Sequence, residues 1–271
     1  DQAQQMYQQA ITADPTNARN LANYAAFLHT VRGDAEQAKQ MYQQATDADP
    51  TNATVLGAYA NFLKNIRRDM DQAQQMYQQA ITADPHHANI LASYAAFLHT
   101  ARGDMDQAEQ MYQQAIDADP HHANILASYA AFLHIVRGDM DQAEQMYQRA
   151  IDADPEIDAT VLGAYALLLH TVRGDTDQAQ HMYQQAIDAD PTNANILANY
   201  ANFLHTARGD MDQAEQMYQR AIDADPEIDA NILGAYANFL GAYAIFLETV
   251  HGDMDQAEQM YQQAIDADPH H

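Results

Sequence analysis

The chain contains no cysteine and no tryptophan. Without cysteine there is no disulfide, no thiolate zinc site and no cysteine nucleophile, although the compartment stays open. Basic residues are scarce: 12 Lys and Arg stand against 38 Asp and Glu, a formal net charge of -26. Such a field repels phosphate backbones and anionic membrane surfaces, so neither nucleic acid nor membrane is an expected partner. No run approaches the roughly 20 apolar residues of a membrane helix. Serine occurs only at Ser93 and Ser128, in equivalent places of one repeated string, which leaves no convincing serine nucleophile. Glycine-rich phosphate loops, HExxH, GxSxG and the EF-hand loop are all missing. The carboxylates that abound sit around helix starts and turns, where helix N-termini favour them without any acid–base role. The sequence is therefore expected to be non-catalytic and to need no cofactor. Weak divalent-cation binding at the Asp-rich turns is the one inorganic ligand it suggests. The chain opens at Asp1 with neither an initiator Met nor a signal peptide, which is the expectation for a processed chain or a fragment.

What is present is a repeat. The string MYQ occurs eight times, with its tyrosine at Tyr7, Tyr42, Tyr77, Tyr112, Tyr147, Tyr183, Tyr218 and Tyr261. The first four steps are 35 residues each, followed by 36, 35 and 43. A fixed period of this size predicts a solenoid of stacked units. All eight prolines fall in one column, from Pro15 to Pro269, and mark a boundary between elements. In one unit, Asp119 is expected to cap a first helix, with Pro120 in its first turn. Leu126, Tyr129, Ala130 and Leu133 then recur at helical spacing. Gly138 closes that helix, and Asp139 with Gln142 forms a capping box for a second. The inner stripe of the second helix is Ala143, Met146, Tyr147, Ala150 and Ile151. Each unit is thus predicted to be two antiparallel helices whose Ala columns allow close approach.

This pattern resembles the tetratricopeptide repeat family, through Gly103, Ala108, Tyr112, Ala115 and Pro120 of the fourth unit, with Ala95 where the family usually has Gly. The likeness runs through nearly the whole chain. It departs in a 35-residue rather than 34-residue period, and in Leu91 standing where a Trp is usual. SYAAFL at 93–98 is also similar to the half-repeat of RNA-processing scaffolds. The resemblance implies an all-α fold, a right-handed solenoid of antiparallel helix pairs forming one domain over 1–271. It also implies a peptide groove whose lining maps onto Asn89, Ala92, Ala96, His99 and Thr100. Those positions carry no Lys or Arg, so no basic clamp for a peptide carboxylate is expected. They also offer few of the residues that dominate binding energy.

Two irregularities stand out. PEIDATVL at 155–162 and PEIDANIL at 226–233 carry one residue more than PHHANIL at 120–126, which a turn can absorb. GAYANFLGAYAIFLETV at 234–250 repeats seven residues, adding about 10 Å of helix with the same face forward. The expectation is that Phe239, Leu240, Tyr243, Phe246 and Leu247 project past the neighbouring helix as an exposed patch. A local bend that shields the duplication is the alternative.

Histidines form two columns, one after the boundary proline (His86, His87, His121, His122, His270, His271) and one at His99, His134, His170 and His205. Helices about 10 Å apart do not bring equivalent imidazoles to the ~2 Å needed by one zinc, so solvated turn residues are expected. Five RGD tripeptides have a structural account: Arg near a helix end, Gly in the turn, Asp as the next cap. Asn52-Ala53-Thr54 is a sequon for glycan attachment at Asn52.

The sequence starts on a second helix with Met6, Tyr7 and Ala10, and ends on one with Met260, Tyr261 and Ile265. Near-identical units with two uncapped ends suit a head-to-tail contact that does not close, which makes a fibre. The expected function is therefore a homopolymeric structural filament, the chain being its own partner, and such a fibre points outside the cell. The doubled segment is expected to meet the Met6–Tyr7–Ala10 stripe of the next subunit. A scaffold binding a peptide or partner protein in the groove is the alternative.

Overall fold

The computed structural model describes residues 2–224, 230–248 and 254–267, apart from the side chains of 230, 231, 233, 246, 260 and 264–267. Every regular element among them is helical, and the elements pair as antiparallel hairpins. The chain divides into two compact units, residues 1–129 and 130–271, the division falling inside one helix.

In the first unit, α1 (Gln2–Ala13) is followed by the hairpins α2 (Ala18–Val31) with α3 (Ala35–Ala48), α4 (Ala53–Phe62) with α5 (Met70–Ala83), and α6 (Ala88–Phe97) with α7 (Met105–Ala118). Helix α8 (Ala123–Phe132) spans the division. The second unit continues with α9 (Met140–Ala153), then α10 (Ala159–Leu168) paired with α11 (Thr176–Ala189) and α12 (Ala194–Phe203) with α13 (Met211–Ala224). It closes with the longer α14 (Ala230–Phe246) packed on α15 (Met254–Ala267).

Alanine makes the close packing. Ala38, Ala45, Ala73, Ala80, Ala108 and Ala115 of the second helices are fully buried, as are Ala25, Ala60 and Ala95 of the first helices they face. Aromatic rings then join one hairpin to the next. Tyr42 lies 5.4 Å from Tyr59 and 5.2 Å from Phe62, and Tyr183 lies 5.4 Å from Tyr200 and 5.5 Å from Phe203. The repeated MYQ string is therefore the seam of the stack. Offset or tilted ring pairs at these separations add about 0.5–1.5 kcal/mol each beyond the area they bury.

The caps correct one expectation. Asp119 does not start a first helix. It ends α7, its N–H bonding the Ala115 carbonyl at 3.0 Å, while its carboxylate accepts from the His121 N–H at 3.4 Å. The capping place of the first helix lies three residues further on. Where that place holds Asn, the amide oxygen caps the helix, as with Asn52 accepting from the Val55 N–H at 3.2 Å. An Asp side chain bonding the backbone two residues ahead forms a local turn, which competes with helix initiation. The second-helix cap is as expected, Asp139 accepting from the Gln142 N–H at 3.1 Å, but the box is not closed, since the Asp139 N–H bonds the Leu133 carbonyl at 3.0 Å.

First helices end in a widened turn. Residues Leu63–Arg67, Leu98–Arg102, Leu133–Arg137, Leu169–Arg173 and Leu204–Arg208 are π-helical. A left-handed residue follows, Gly103 at φ 68° in one hairpin and Arg68 at φ 54° in another. The N–H of Asp104 then bonds back to the Leu98 carbonyl at 3.1 Å, closing the wide turn before α7 begins.

Candidate functional site

The predicted groove residues lie together on α6 and its terminal turn. Asn89 and Thr100 are exposed, whereas Ala92, Ala96 and His99 are half-buried. Ala92 packs against the core formed by Leu91, Ala115 and Ile125. The Thr100 hydroxyl donates to the Ala96 carbonyl at 2.6 Å, so only part of its bonding capacity faces outward. On α12 and its turn the equivalent places are Asn195, Ala198, Asn202, His205 and Thr206; Asn195, Asn202 and Thr206 are exposed, as is Asn199 beside them. These strips are uncharged within a strongly acidic chain.

The edge formed by the first-helix ends carries arginines, four of which are paired within their own unit. Arg102 reaches back 31 residues to the Asp71 carboxylate at 2.6 Å and to the Met70 carbonyl at 3.1 Å. Arg67 pairs with Glu36 in the same way. In the second unit Arg173 meets Asp141 at 2.6 Å and Glu144 at 2.7 Å, and Arg208 meets Asp177 at 2.7 Å. The arginines of three RGD strings, Arg102, Arg173 and Arg208, are thus engaged in ion pairs between hairpins. Neither Arg nor Asp is remarkable locally; the signal that could have exposed the pairs is an Arg column displaced from an Asp column by 31 or 32 residues.

The doubled segment does not form the exposed patch expected of it. Phe239, Leu240, Tyr243 and Leu247 are buried, Leu247 retaining 5% exposure, while Ile245 stands out at 54%. Helix α14 runs seven residues longer than α12 before the π-helical Leu247 and Glu248, and the Tyr243 ring lies tilted 5.7 Å from Phe239. Its hydroxyl donates to Asp212 at 2.8 Å, at the start of α13. The face repeats every seven residues, so the added turns extend the same buried stripe along α13 and α15. The Phe246, Met260 and Ile265 side chains lie outside the described residues. At the other proposed contact, Tyr7 packs on Tyr24 and Phe27, Ala10 is half-buried, and Met6 is 64% exposed.

The second histidine column also departs from the solvated reading. His29, His99, His134, His170 and His205 are half-buried at the hairpin seams. Burial lowers each below the usual imidazole value, and the Lys64 charge lowers His99 further. Buried hydroxyls add a contrast. Tyr77 donates to Asn61 Oδ1 at 2.6 Å, whereas the Tyr147 and Tyr183 hydroxyls are buried without a partner. Asn52 is half-buried, and its amide also donates to Asp49 at 3.3 Å. Among the described residues no three His, Asp or Glu stand together to hold a metal ion, and no helix is long and apolar enough to cross a membrane.

Hairpins of this size, seamed by Tyr on Tyr and Phe, are matched by sequence models described as tetratricopeptide repeat. One covers residues 99–168 and 173–240, a second 67–123, and a third 32–52 and 252–271. The chain belongs to the tetratricopeptide repeat family. No curated protein matches it. Among solved structures, PilF of Pseudomonas aeruginosa shares 19% identity over 82% of this chain and 94% of its own, with a TM-score of 0.64. PilW, a widely conserved type IV pilus biogenesis factor, shares 16% over 81% and 94%, with a TM-score of 0.66. The Cut9 structure, solved as a hetero-tetramer with Hcn1, shares 17% over 99% of this chain and 50% of the other, with a TM-score of 0.66. At these identities the likeness is one of fold. The tetratricopeptide repeats here present a surface, with no constellation of catalytic groups on it among the described residues.

Proposed function

We propose that this chain is an interaction scaffold that holds an extended partner segment along the exposed face of its first helices. The observation that carries the reading is the chemistry of that face: Asn, Ala, Thr and neutral His on α6, and Asn195, Asn199, Asn202 and Thr206 on α12 and its turn, in a chain of net charge -26. Uncharged amides and hydroxyls accept from and donate to a partner's backbone without requiring a charged sequence. The face has no Trp or Arg anchor, so affinity must come from several repeats engaged together. The printed descriptions of PilW as a biogenesis factor and of Cut9 in a hetero-tetramer support an assembly role as a class of use.

The test is photo-crosslinking from Ala96 and Asn199, with Gln79 on a second helix as the control. One stoichiometric partner captured from the first two positions, and lost in Ala96→Arg, supports the scaffold. Equal capture from Gln79 ends it.

Head-to-tail self-assembly is the second reading, with the chain as its own partner. Its support is Tyr261 at 39% exposure and Met6 at 64%, against the fully buried Tyr77 and Tyr183 in the same column as Tyr261. The buried doubled segment plays no part in it. Larger assemblies at moderate than at low salt, seen by sedimentation, would favour it, since screening over about 8 Å relieves the repulsion between acidic copies. We also read the repeats as a 35-residue variant of the family, with a similarity to half-repeats at 93–98. The π turn, which adds one residue to an α-helical turn, supports the longer period.

A further inference from the structure

The second histidine column is built into the stack. His29 lies 5.3 Å from Phe62 of the next hairpin and 6.4 Å from Tyr42, and His99 lies 6.5 Å from Tyr112. In the second unit His170 meets Phe203 edge-on at 5.1 Å, and His205 meets Phe239 at 5.3 Å. His170 also shows where its proton resides. The Thr206 hydroxyl donates to the Asn202 carbonyl at 2.7 Å, so towards His170 Nε2, 3.4 Å away, its oxygen acts as acceptor. The neutral ring therefore carries its proton on Nε2, an assignment made from the hydrogen-bond network. Its Nδ1 is bare, buried and without a partner, and the Nδ1 of His134 is likewise buried without one.

We propose that this column is an acid-responsive latch: protonation of the seam imidazoles drives them out from between the hairpins and loosens the stack. A proton taken up at Nδ1 of His170 creates a buried N–H with no acceptor and a charge on a ring that is only partly open to water. Several groups face the column. Lys64 stands in the same position of its own hairpin, and its charge acts on His99. Tyr42 and Tyr112 present phenols that burial pushes up to about 12, so they offer no anion to hold an imidazolium. Phe62, Phe203 and Phe239 are apolar, and Thr206 is already bonded. Each ring sits near a helix C-terminus, which favours a cation, but burial outweighs it and the direction is downward at all five positions. The folded value lies below the unfolded one. Stability from the neutral rings is therefore complete above about pH 6.5 and is lost progressively as the pH falls from there through the lower folded values. The latch requires no assumption about what the first-helix face binds.

The experiment compares the full chain with the triple variant His134→Gln, His170→Gln, His205→Gln in thermal melts at pH 7.5 and 5.5. Acid also neutralises carboxylates in both chains, so the readout is the difference between them. Wild type should lose roughly 2–4 °C or more relative to the variant on acidification. An unchanged or growing advantage for wild type overturns the proposal. Should the variant fail to fold, the histidine ring protons of the wild-type chain decide by NMR. Titration midpoints for His134 and His170 below 6.5 support the latch; midpoints at or above 6.5 overturn it.

Discussion

Asp177 and Asp212 occupy the same place at the start of two successive second helices, yet different residues reach them. Asp177 receives the Arg208 guanidinium at 2.7 Å, from the π turn that ends α12. Asp212 receives the Tyr243 phenol at 2.8 Å, from a helix that continues seven residues further. One hairpin brings the guanidinium of its π turn to that carboxylate; the other, whose first helix is seven residues longer, brings a buried tyrosine to the equivalent one. The contrast shows that the seam tolerates a length change when the insertion is a whole number of heptads. Seven residues return the apolar face to nearly the same direction, whereas three or five would turn it to solvent.

The largest expected effect tests whether the extra turns are core. Leu247→Ala should cost about 2–5 kcal/mol, the usual range for truncating a buried leucine. Ile245→Ala, at an exposed position of the same segment, should stay within about 0.5 kcal/mol. Urea denaturation of the two variants measures both. Near-neutral results for the pair would return the segment to the exposed patch that the sequence alone suggests.

That patch was misjudged for a specific reason. Sequence spacing correctly keeps one face forward through the doubled segment, but it carries no measure of how far the partner helices reach. Whether α13 and α15 cover the added turns depends on where three helices lie, and no local pattern encodes that. Signals confined to a few residues were far more legible. The Asp139–Gln142 cap, the hairpin pairing and the Tyr and Ala columns all follow from short-range spacing. Asp119–Pro120 was equally short-range but ambiguous, since the same pair can start a helix or close a turn. The π turns carry no separate signature, because one extra residue in a helical run still reads as helix. On the candidate surface, exposure of Asn89 and Thr100 could be read from the helical period. The seam burial of His99, His134 and His170 could not, because it depends on the next hairpin.

A second comparison is sharpened at the residue after the π turn. Arg68 adopts φ 54° where Gly103, Gly138, Gly174 and Gly209 adopt 67–68°. A side chain in this region costs about 1–2 kcal/mol relative to a right-handed conformation, a penalty that glycine escapes. Arg68→Gly also gives the unfolded chain more freedom, which offsets part of the gain. A net stabilisation of about 0.5–1 kcal/mol is expected from denaturation midpoints. Loss of stability on this change would show that Arg68 makes a contact worth more than its strain.

The smallest effect returns to the two carboxylates. Arg208 and Asp177 are exposed partners, the Asp side chain 91% open, so Arg208→Gln should cost only about 0.2–1 kcal/mol. Tyr243→Phe removes a hydrogen bond to a charged acceptor and leaves an exposed Asp212 free to take water, for a loss of about 0.5–1.5 kcal/mol. These costs overlap, so magnitude alone does not separate them. Salt does. Near 1 M ionic strength the screening length is about 3 Å, and the Arg208 effect should fade towards zero. The phenol carries no charge to screen; burial and the Asp212 bond push its ionisation up to about 12, so Tyr243 stays a neutral donor across the working range. Its effect should persist in salt. Denaturation of both variants at low and high salt reads the difference directly. If both effects vanish together, Tyr243 is held by the field around Asp212 rather than by the short bond, and the two hairpin ends are electrostatically alike.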